Sequence, residues 1–285
     1  MTERRTAPLS AEADADATDA DAATAAHDGA PRPGDSYVQS FARGLAVLRS
    51  FGAEAPRQTL SEVAERAQLT RAGARRILHT LLHLGYVEAD GRLFRLTPKV
   101  LDLGYAYLSS LPVWTQAQPL LEELMATLRQ SCSATVLDGD DIVYVVRLSA
   151  HRTMSINLGI GSRLPAYCTS MGRVLLSGLE PDALRARLSQ MALLKLTPAT
   201  KVDIDALMEE IAQVRRQGWS LVQEELEQGL VALAAPVFDR AGKVVAAINV
   251  SGQTAGPSVA QLLEHSLPKL LETASRVSAL VRVQQ

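Results

Sequence analysis

The sequence predicts an α+β chain in two parts, a small basic helical domain followed by a larger mixed domain. Three observations predict it. Helix-period apolar patterning, punctuated by capping and stop signals, runs from residue 39 to residue 85. An Asp-Gly hairpin follows directly, and from residue 113 strand-like runs mix with amphipathic helices. The later elements do not repeat as βαβ units, which argues against a doubly wound sheet.

Residues 1–35 read as a disordered acidic tail, because Asp/Ala alternation with almost no large apolar residue leaves nothing to bury. From Gln39 to Gly52, Phe41, Leu45, Leu48 and Phe51 give one helix face. The break at Gly52–Pro56 leads to Thr59-Leu60-Ser61-Glu62, a capping-box spacing that opens a second helix. After the turn Gln68-Leu69-Thr70, a third helix runs from Arg71 to Leu84, with Ala74, Leu78, Leu81 and Leu82 inward and Gly85 as its stop. Tyr86 to Leu96 alternates about Asp90-Gly91 and reads as a hairpin. Three helices and a hairpin in this order describe a winged helix-turn-helix over residues 36–97. Residues 98–112 form a linker helix with an apolar stripe (Val100, Leu101, Leu103, Leu108), open both to dimer contact and to packing on its own domain. The second domain spans 113–285. Helices are expected at Ala117–Gln130, Thr169–Leu176, Asp203–Gln217 and Ser258–Val281. Strands are expected at 134–137, 142–146, 154–158, 231–235 and 244–250.

The 285 residues carry a formal net charge of -2 that is unevenly spread. Up to Asp35 the sequence carries three basic and eight acidic residues, from Ser36 to Leu111 ten and six, and from Pro112 onward 16 and 17. A basic segment inside a near-neutral chain is an electrostatic footprint for nucleic acid. Two cysteines, Cys132 and Cys168, are too few for a disulfide framework or a zinc cluster. No apolar run is long enough to span a membrane, and the N-terminus lacks a signal-peptide core, so a cytoplasmic location is expected.

Catalytic motifs do not emerge. Gly159-Ile160-Gly161 lacks the third glycine of a dinucleotide site, and Cys168-Thr169-Ser170-Met171-Gly172 is not a nucleophile elbow. His79 and His83 stand four apart without a third ligand, and Glu224, Glu225 and Glu227 lack an acid/base partner. No cofactor or metal is implied, and a non-enzyme is expected. On the third helix, Thr70, Arg71, Arg75 and Arg76 occupy the start of the helix that such domains place in the major groove. Arg92 and Arg95 lie on the hairpin, within reach of backbone or minor groove.

The span from about Tyr37 to Leu280 resembles the IclR family of bacterial regulators, and within it the regulators of aromatic-acid and β-ketoadipate catabolism (the PcaR, PcaU and PobR group). The residues that carry the resemblance are Ser40–Leu48, Leu69–Arg76, Leu84–Val87, Leu164–Leu176, Gln228–Leu230 and Ala246–Gly252. The first and fourth are specific to the family, and Thr169-Ser170-Met171-Gly172-Arg173 points to the aromatic-acid group. The resemblance implies a C-terminal GAF-like effector-binding domain and a dimer able to pair into tetramers. Its expected partners are an operator in double-stranded DNA, a small carboxylate effector and, optionally, RNA polymerase.

The resemblance also implies an effector pocket reached by Ser170, Met171, Val222, Ala232, Asn249 and Ser251. Val222 and Ala232 replace an acidic and a polar or thiol residue of other members, which gives a wall suited to a ring or a longer acyl chain. A carboxylate needs a cation or several N–H donors. Arg152 and Arg173 are the candidate cations, each also readable as a structural ion pair, with the free N–H groups of the Thr169 helix beside them. Tyr167 is a candidate ring stack or a core tyrosine. The effector is expected to be an aromatic acid or β-ketoadipate-pathway compound. A small ketoacid such as glyoxylate or pyruvate is the alternative within the family, and an enzyme acting on a small acid the alternative outside it.

Overall fold

The computed structural model describes residues 37–150 and 158–284. It divides into two compact units between Arg95 and Leu96.

The first unit holds α1 (Gln39–Arg49), β1 (Gln58–Thr59), α2 (Leu60–Arg66), α3 (Arg71–Leu84), β2 (Val87–Asp90) and β3 (Leu93–Leu96). Thr59 caps α2 through a complete capping box. Its hydroxyl accepts from the Glu62 N–H, and Glu62 accepts from the Thr59 N–H at 2.7 Å. Thr70 caps α3 by accepting the Gly73 N–H, and Gly85, at φ 78°, ends α3 in the left-handed conformation its lack of Cβ permits. Val47, Val63, Ala74, Leu78 and Val87 are the core. Phe41, expected on the apolar face of α1, is 68% exposed. The hairpin gains a third strand that sequence patterning does not reveal, β1, in the order β1-β3-β2. The buried Gln58 side chain fixes β1 by donating to the carbonyls of Ser50 and Ala55.

The second unit begins with one 3₁₀ turn (Pro98–Val100) and α4 (Leu101–Ser109). No residue of α4 is buried, and Leu101, Leu103, Tyr105 and Tyr107 are all exposed. Then come α5 (Val113–Leu128), β4 (Ser131–Asp138), β5 (Asp141–Leu148), β6 (Arg163–Pro165), α6 (Ser170–Leu176), α7 (Pro181–Gln190) and α8 (Ile204–Gln217). β7 (Ser220–Gln223), β8 (Leu230–Phe238), β9 (Val244–Gln253), α9 (Val259–Gln261), a π-helical turn (Leu262–Ser266) and α10 (Leu267–Gln284) complete it. The strand expected at 154–158 falls almost wholly on residues outside the described ones. Three elements, β6, α7 and β7, have no counterpart in the sequence reading.

Six strands form one antiparallel sheet in the order β6-β5-β4-β9-β8-β7, so the unit is α+β as expected. Helices cover both faces. On one, α5 and α10 pack on Cys132, Ala134, Leu233, Ala235, Ile248 and Val250. On the other, α6, α7 and α8 pack on Ile142, Tyr144, Ala234 and Ala247. Among the described residues no helix is long and apolar enough to cross a membrane.

The second face carries an anomaly. Its central positions are Ser131, Ser133, Thr135, Asn249 and Ser251, all buried. A sheet face under helices is ordinarily apolar, because each polar group there must find a hydrogen bond. The segment between β6 and α6 folds back on α6 so closely that a Cβ on Gly172 would lie 2.0 Å from the Ala166 carbonyl oxygen and 2.4 Å from its Cα. Gly172→Ala should therefore force backbone apart and lower stability by about 2–3 kcal/mol. A urea unfolding midpoint close to that of the wild type would show that the approach is looser.

Candidate functional site

In the first unit α3 turns Arg71, Arg75 and Arg76 to solvent, with Thr70 exposed at its start, while Ala74, Leu78 and Leu81 point inward. No ion pair holds any of these three arginines among the described residues. The hairpin differs. Arg95 Nε lies 2.5 Å from Glu88, and Asp90 stands 3.8 Å from Arg57. Arg92 is exposed with no described ion pair. The cationic field is therefore concentrated on α3, and Arg95 is partly neutralised by its neighbour.

In the second unit a cleft lies between the polar sheet face, the start of α6 and the segment after β7. Its interior holds ≈ 30 Å³ of free space, and part of it is open to solvent. Ser170, Met171, Val222, Ala232, Asn249 and Ser251 all line it, as the sequence reading brought them together. Cross-strand register explains the convergence of four of them. Val222 pairs with Ala232 and Ala232 with Ser251, making one row over β7, β8 and β9. Asn249 is two residues away on the same face.

Of the two expected cations, Arg173 is not in the lining. Arg173 is 1% exposed and lies outside the cleft. Its Nη2 donates to Glu225 at 2.6 Å, its Nε donates to the Tyr167 carbonyl at 3.0 Å, and Glu210 stands 3.6 Å from Nη1. A guanidinium buried this deeply must be paired, so Arg173 is a structural ion pair rather than a free ligand cation. Arg152 lies outside the described residues. Tyr167 is a core tyrosine, not a ring stack. Its hydroxyl donates to the Leu194 carbonyl and accepts the Leu194 N–H. Of the N–H groups expected free at the start of α6, that of Gly172 is already taken by the Thr169 hydroxyl.

Among the described residues the cation in the cleft is Arg147, which the sequence reading passed over. Its Nη1 donates to Ser133 at 2.9 Å and its carbon lies 5.9 Å from the Tyr144 ring centroid. No described carboxylate pairs with it, and its Nε is buried without an acceptor. Asn249 Oδ1, on the same cleft wall, is likewise buried without a donor. A β-bulge puts Arg147 there. Register shifts so that Thr135 pairs with Tyr144 and Ala134 with Val146, leaving Val145 unpaired. Tyr144 faces the cleft and Val146 the opposite core, so the extra residue turns Arg147 back to the cleft side. Simple alternation from Ile142 would have pointed it the other way.

The far wall is acidic. Glu224 and Glu225 line it, Glu224 in the left-handed region at φ 56°. Thr197 and Thr200 hydroxyls hold the carbonyls of Glu224 and Glu225, and Glu224 Oε1 accepts the Gly229 N–H. Glu225 Oε2 also accepts the Lys201 N–H, and the Lys201 ammonium pairs with Glu210. Burial, and then the charge of Glu225, pushes the Cys168 thiol up to about 12. Burial alone does the same to Cys132 against the opposing pull of Arg147.

These features match known proteins. The IclR helix-turn-helix pattern matches residues 40–91, and that of the C-terminal region of bacterial IclR transcriptional regulators matches residues 105–279. The chain belongs to the IclR family. Family members are DNA-binding transcriptional regulators, not enzymes. The chain is 44% identical over 241 residues to the Pca regulon regulatory protein of Pseudomonas putida, covering 84% of this chain and 82% of that one. It is 36% identical to the p-hydroxybenzoate hydroxylase transcriptional activator of Acinetobacter baylyi, covering 87% and 93%. Among solved structures, a transcriptional regulator of Rhodococcus sp. RHA1 superposes with a TM-score of 0.79 at 47% identity, covering 87% of this chain and 100% of that one. An IclR homologue of Microbacterium hydrocarbonoxydans complexed with 4-hydroxybenzoate gives 0.75 at 25%, covering 86% and 99%.

Because both thiols are buried and held protonated, neither should react with Ellman's reagent at pH 8 in the folded protein, and both should react in guanidinium. Rapid labelling of the native protein would show that the core around one of them opens.

Proposed function

We propose that the chain is a regulator of aromatic-acid or β-ketoadipate-pathway catabolism whose second unit binds an aromatic carboxylate. The observation that carries this is the pair of orphaned polar groups in a cleft that also has apolar walls. Arg147 Nε lacks an acceptor and Asn249 Oδ1 lacks a donor. Burying both unpaired is costly, and a ligand anion that accepts from Arg147 removes the larger part of the cost. Tyr144, Leu164, Met171, Val222, Leu230 and Ala232 offer the apolar walls a ring needs. Val222 and Ala232 leave a small ketoacid without polar partners on that side. The relatives named for the Pca regulon and for p-hydroxybenzoate hydroxylase, and the homologue holding 4-hydroxybenzoate, support the same class.

In this reading Arg71, Arg75 and Arg76 meet operator bases and phosphates, with Thr70 at the backbone and Arg92 as the available hairpin cation. The chain acts as a dimer on a site of dyad symmetry in the cytoplasm, with RNA polymerase as a further contact. The exposed Leu101, Leu103, Tyr105 and Tyr107 of α4 support self-association, since aromatic and aliphatic groups in this density are rarely left to water.

The test separates the two activities. Arg75→Ala with Arg76→Ala should abolish the operator shift while leaving thermal stabilisation by 4-hydroxybenzoate intact. Arg147→Met should do the reverse, removing a stabilisation that reaches about 2.7 kcal/mol at a hundredfold excess over Kd. Stabilisation by glyoxylate or pyruvate alone would overturn the aromatic reading. Retained 4-hydroxybenzoate binding in Arg147→Met would remove Arg147 from the site.

A further inference from the structure

The cleft is electrically polar along its length. Arg147 stands on β5, whereas Glu224 and Glu225 follow β7 at the far side of the sheet. Four strand spacings separate β5 from β7, about 19 Å along the backbone, which the inward-reaching side chains shorten. At the β5 end the charge among the described residues is the Arg147 guanidinium. At the β7 end three carboxylates, Glu210, Glu224 and Glu225, meet two cations, Arg173 and Lys201, leaving an excess of negative charge.

Glu225 is the member of that group that both lines the cleft and is buried. It is 5% exposed, and one of its carboxylate oxygens, Oε2, takes both the Arg173 guanidinium and the Lys201 N–H. No described donor reaches the other oxygen, Oε1. Arg173 in turn donates to the Tyr167 carbonyl, so it ties the segment before α6 to the segment after β7.

We infer that Glu225 is the residue that selects the far end of the effector, accepting a hydrogen bond from a donor group opposite the carboxylate, and that Arg173 is the residue that positions it. This rests on the reading of the cleft as the site of an aromatic carboxylate bound through Arg147. A ring bearing a hydroxyl gives Glu225 a donor. A bare ring desolvates a carboxylate and offers nothing in return, and a second anion meets the excess negative charge. A site built around a buried acceptor rejects a ligand lacking the donor more strongly than an apolar pocket rejects an extra group.

Isothermal titration of the full-length protein with 4-hydroxybenzoate, benzoate and terephthalate tests this. In the wild type 4-hydroxybenzoate should bind about tenfold or more tightly than benzoate, with terephthalate the weakest of the three. In Glu225→Gln both ratios should contract by about tenfold, and the ratios are the reading, whatever the absolute affinities. Arg173→Lys should contract them in the same direction by loosening the hold on Glu225, and Glu224→Gln should leave them near the wild-type values. The wild-type series alone overturns the proposal if the three acids bind alike, so a variant that fails to fold does not rescue it. Unchanged ratios in Glu225→Gln, or a contraction in Glu224→Gln instead, also overturn it. Arg147→Met distinguishes the underlying reading. If it leaves all three affinities intact, the cation assignment fails, and if the wild type binds none of the three, both readings fail together.

Discussion

A sheet covered by helices on both faces has no water to offer a polar side chain, and the second unit is organised by that constraint. Every buried donor and acceptor on the six strands must find a partner within the protein or in a ligand. Two arginines meet the constraint in different ways. Arg173 is enclosed and fully committed, to Glu225, to Glu210 and to the Tyr167 carbonyl. Arg147 is anchored only by Ser133 and leaves Nε unmatched, as does Asn249 at Oδ1. The same residue type thus serves as a structural pin in one place and as an open valence in the other. The difference lies in the surroundings and not in the side chain.

The first unit is governed by a different balance. Its core is small, so local signals carry more of the work of specifying α2 and α3: the Thr59–Glu62 box, the Thr70 cap and the Gly85 stop. The two donors from Thr59 hold the Glu62 carboxyl below its usual range, the expected companion of a carboxylate at a helix start. With its inward face filled by Ala74, Leu78 and Leu81, α3 leaves its arginines nothing to pair with but solvent or phosphate. The pairing of Arg95 with Glu88 is exposed and weak, and a phosphate could displace it. The contrast with α3 is one of charge density, not of an on-off contact.

How much of this was legible follows from where the determinants are local. The caps and stop around α2 and α3 are written within four residues and could be read directly. The row Val222–Ala232–Ser251, with Asn249 beside it, came from the family resemblance, and sheet register supplies its physical reason. Arg147 was illegible because a single bulge at Val145 inverts the alternation on which strand reading depends. A clue did exist in the alternation Ser131-Cys132-Ser133-Ala134-Thr135, whose polar parity marks a strand face that is buried yet not apolar. Arg173 stayed open between ligand cation and structural ion pair for the opposite reason. Its partner Glu225 lies 52 residues away, and nothing short-range signals that separation. β7 is four residues long and α7 has a weakly amphipathic pattern, so neither stands out from its flanks.

An effector changes an equilibrium only by binding two arrangements unequally, so a cleft with wholly fixed walls could bind without signalling. The two ends of this cleft are built differently. Arg147 projects from β5 where the ladder to the central strand β4 pairs it with Ser133, while β6 pairs with β5 only over Asp141–Val143. Glu224 and Glu225 lie beyond the end of β7, where the chain is kept in place chiefly by side chains: two threonine hydroxyls, the Glu224–Gly229 bond and the Arg173 ion pair. Glu224 also occupies a left-handed conformation that only surrounding contacts maintain. A ligand spanning the cleft joins a rigid end to an adjustable one. Its binding energy then depends on the distance between them, and that dependence is what allows occupancy to favour one arrangement of the segment over another.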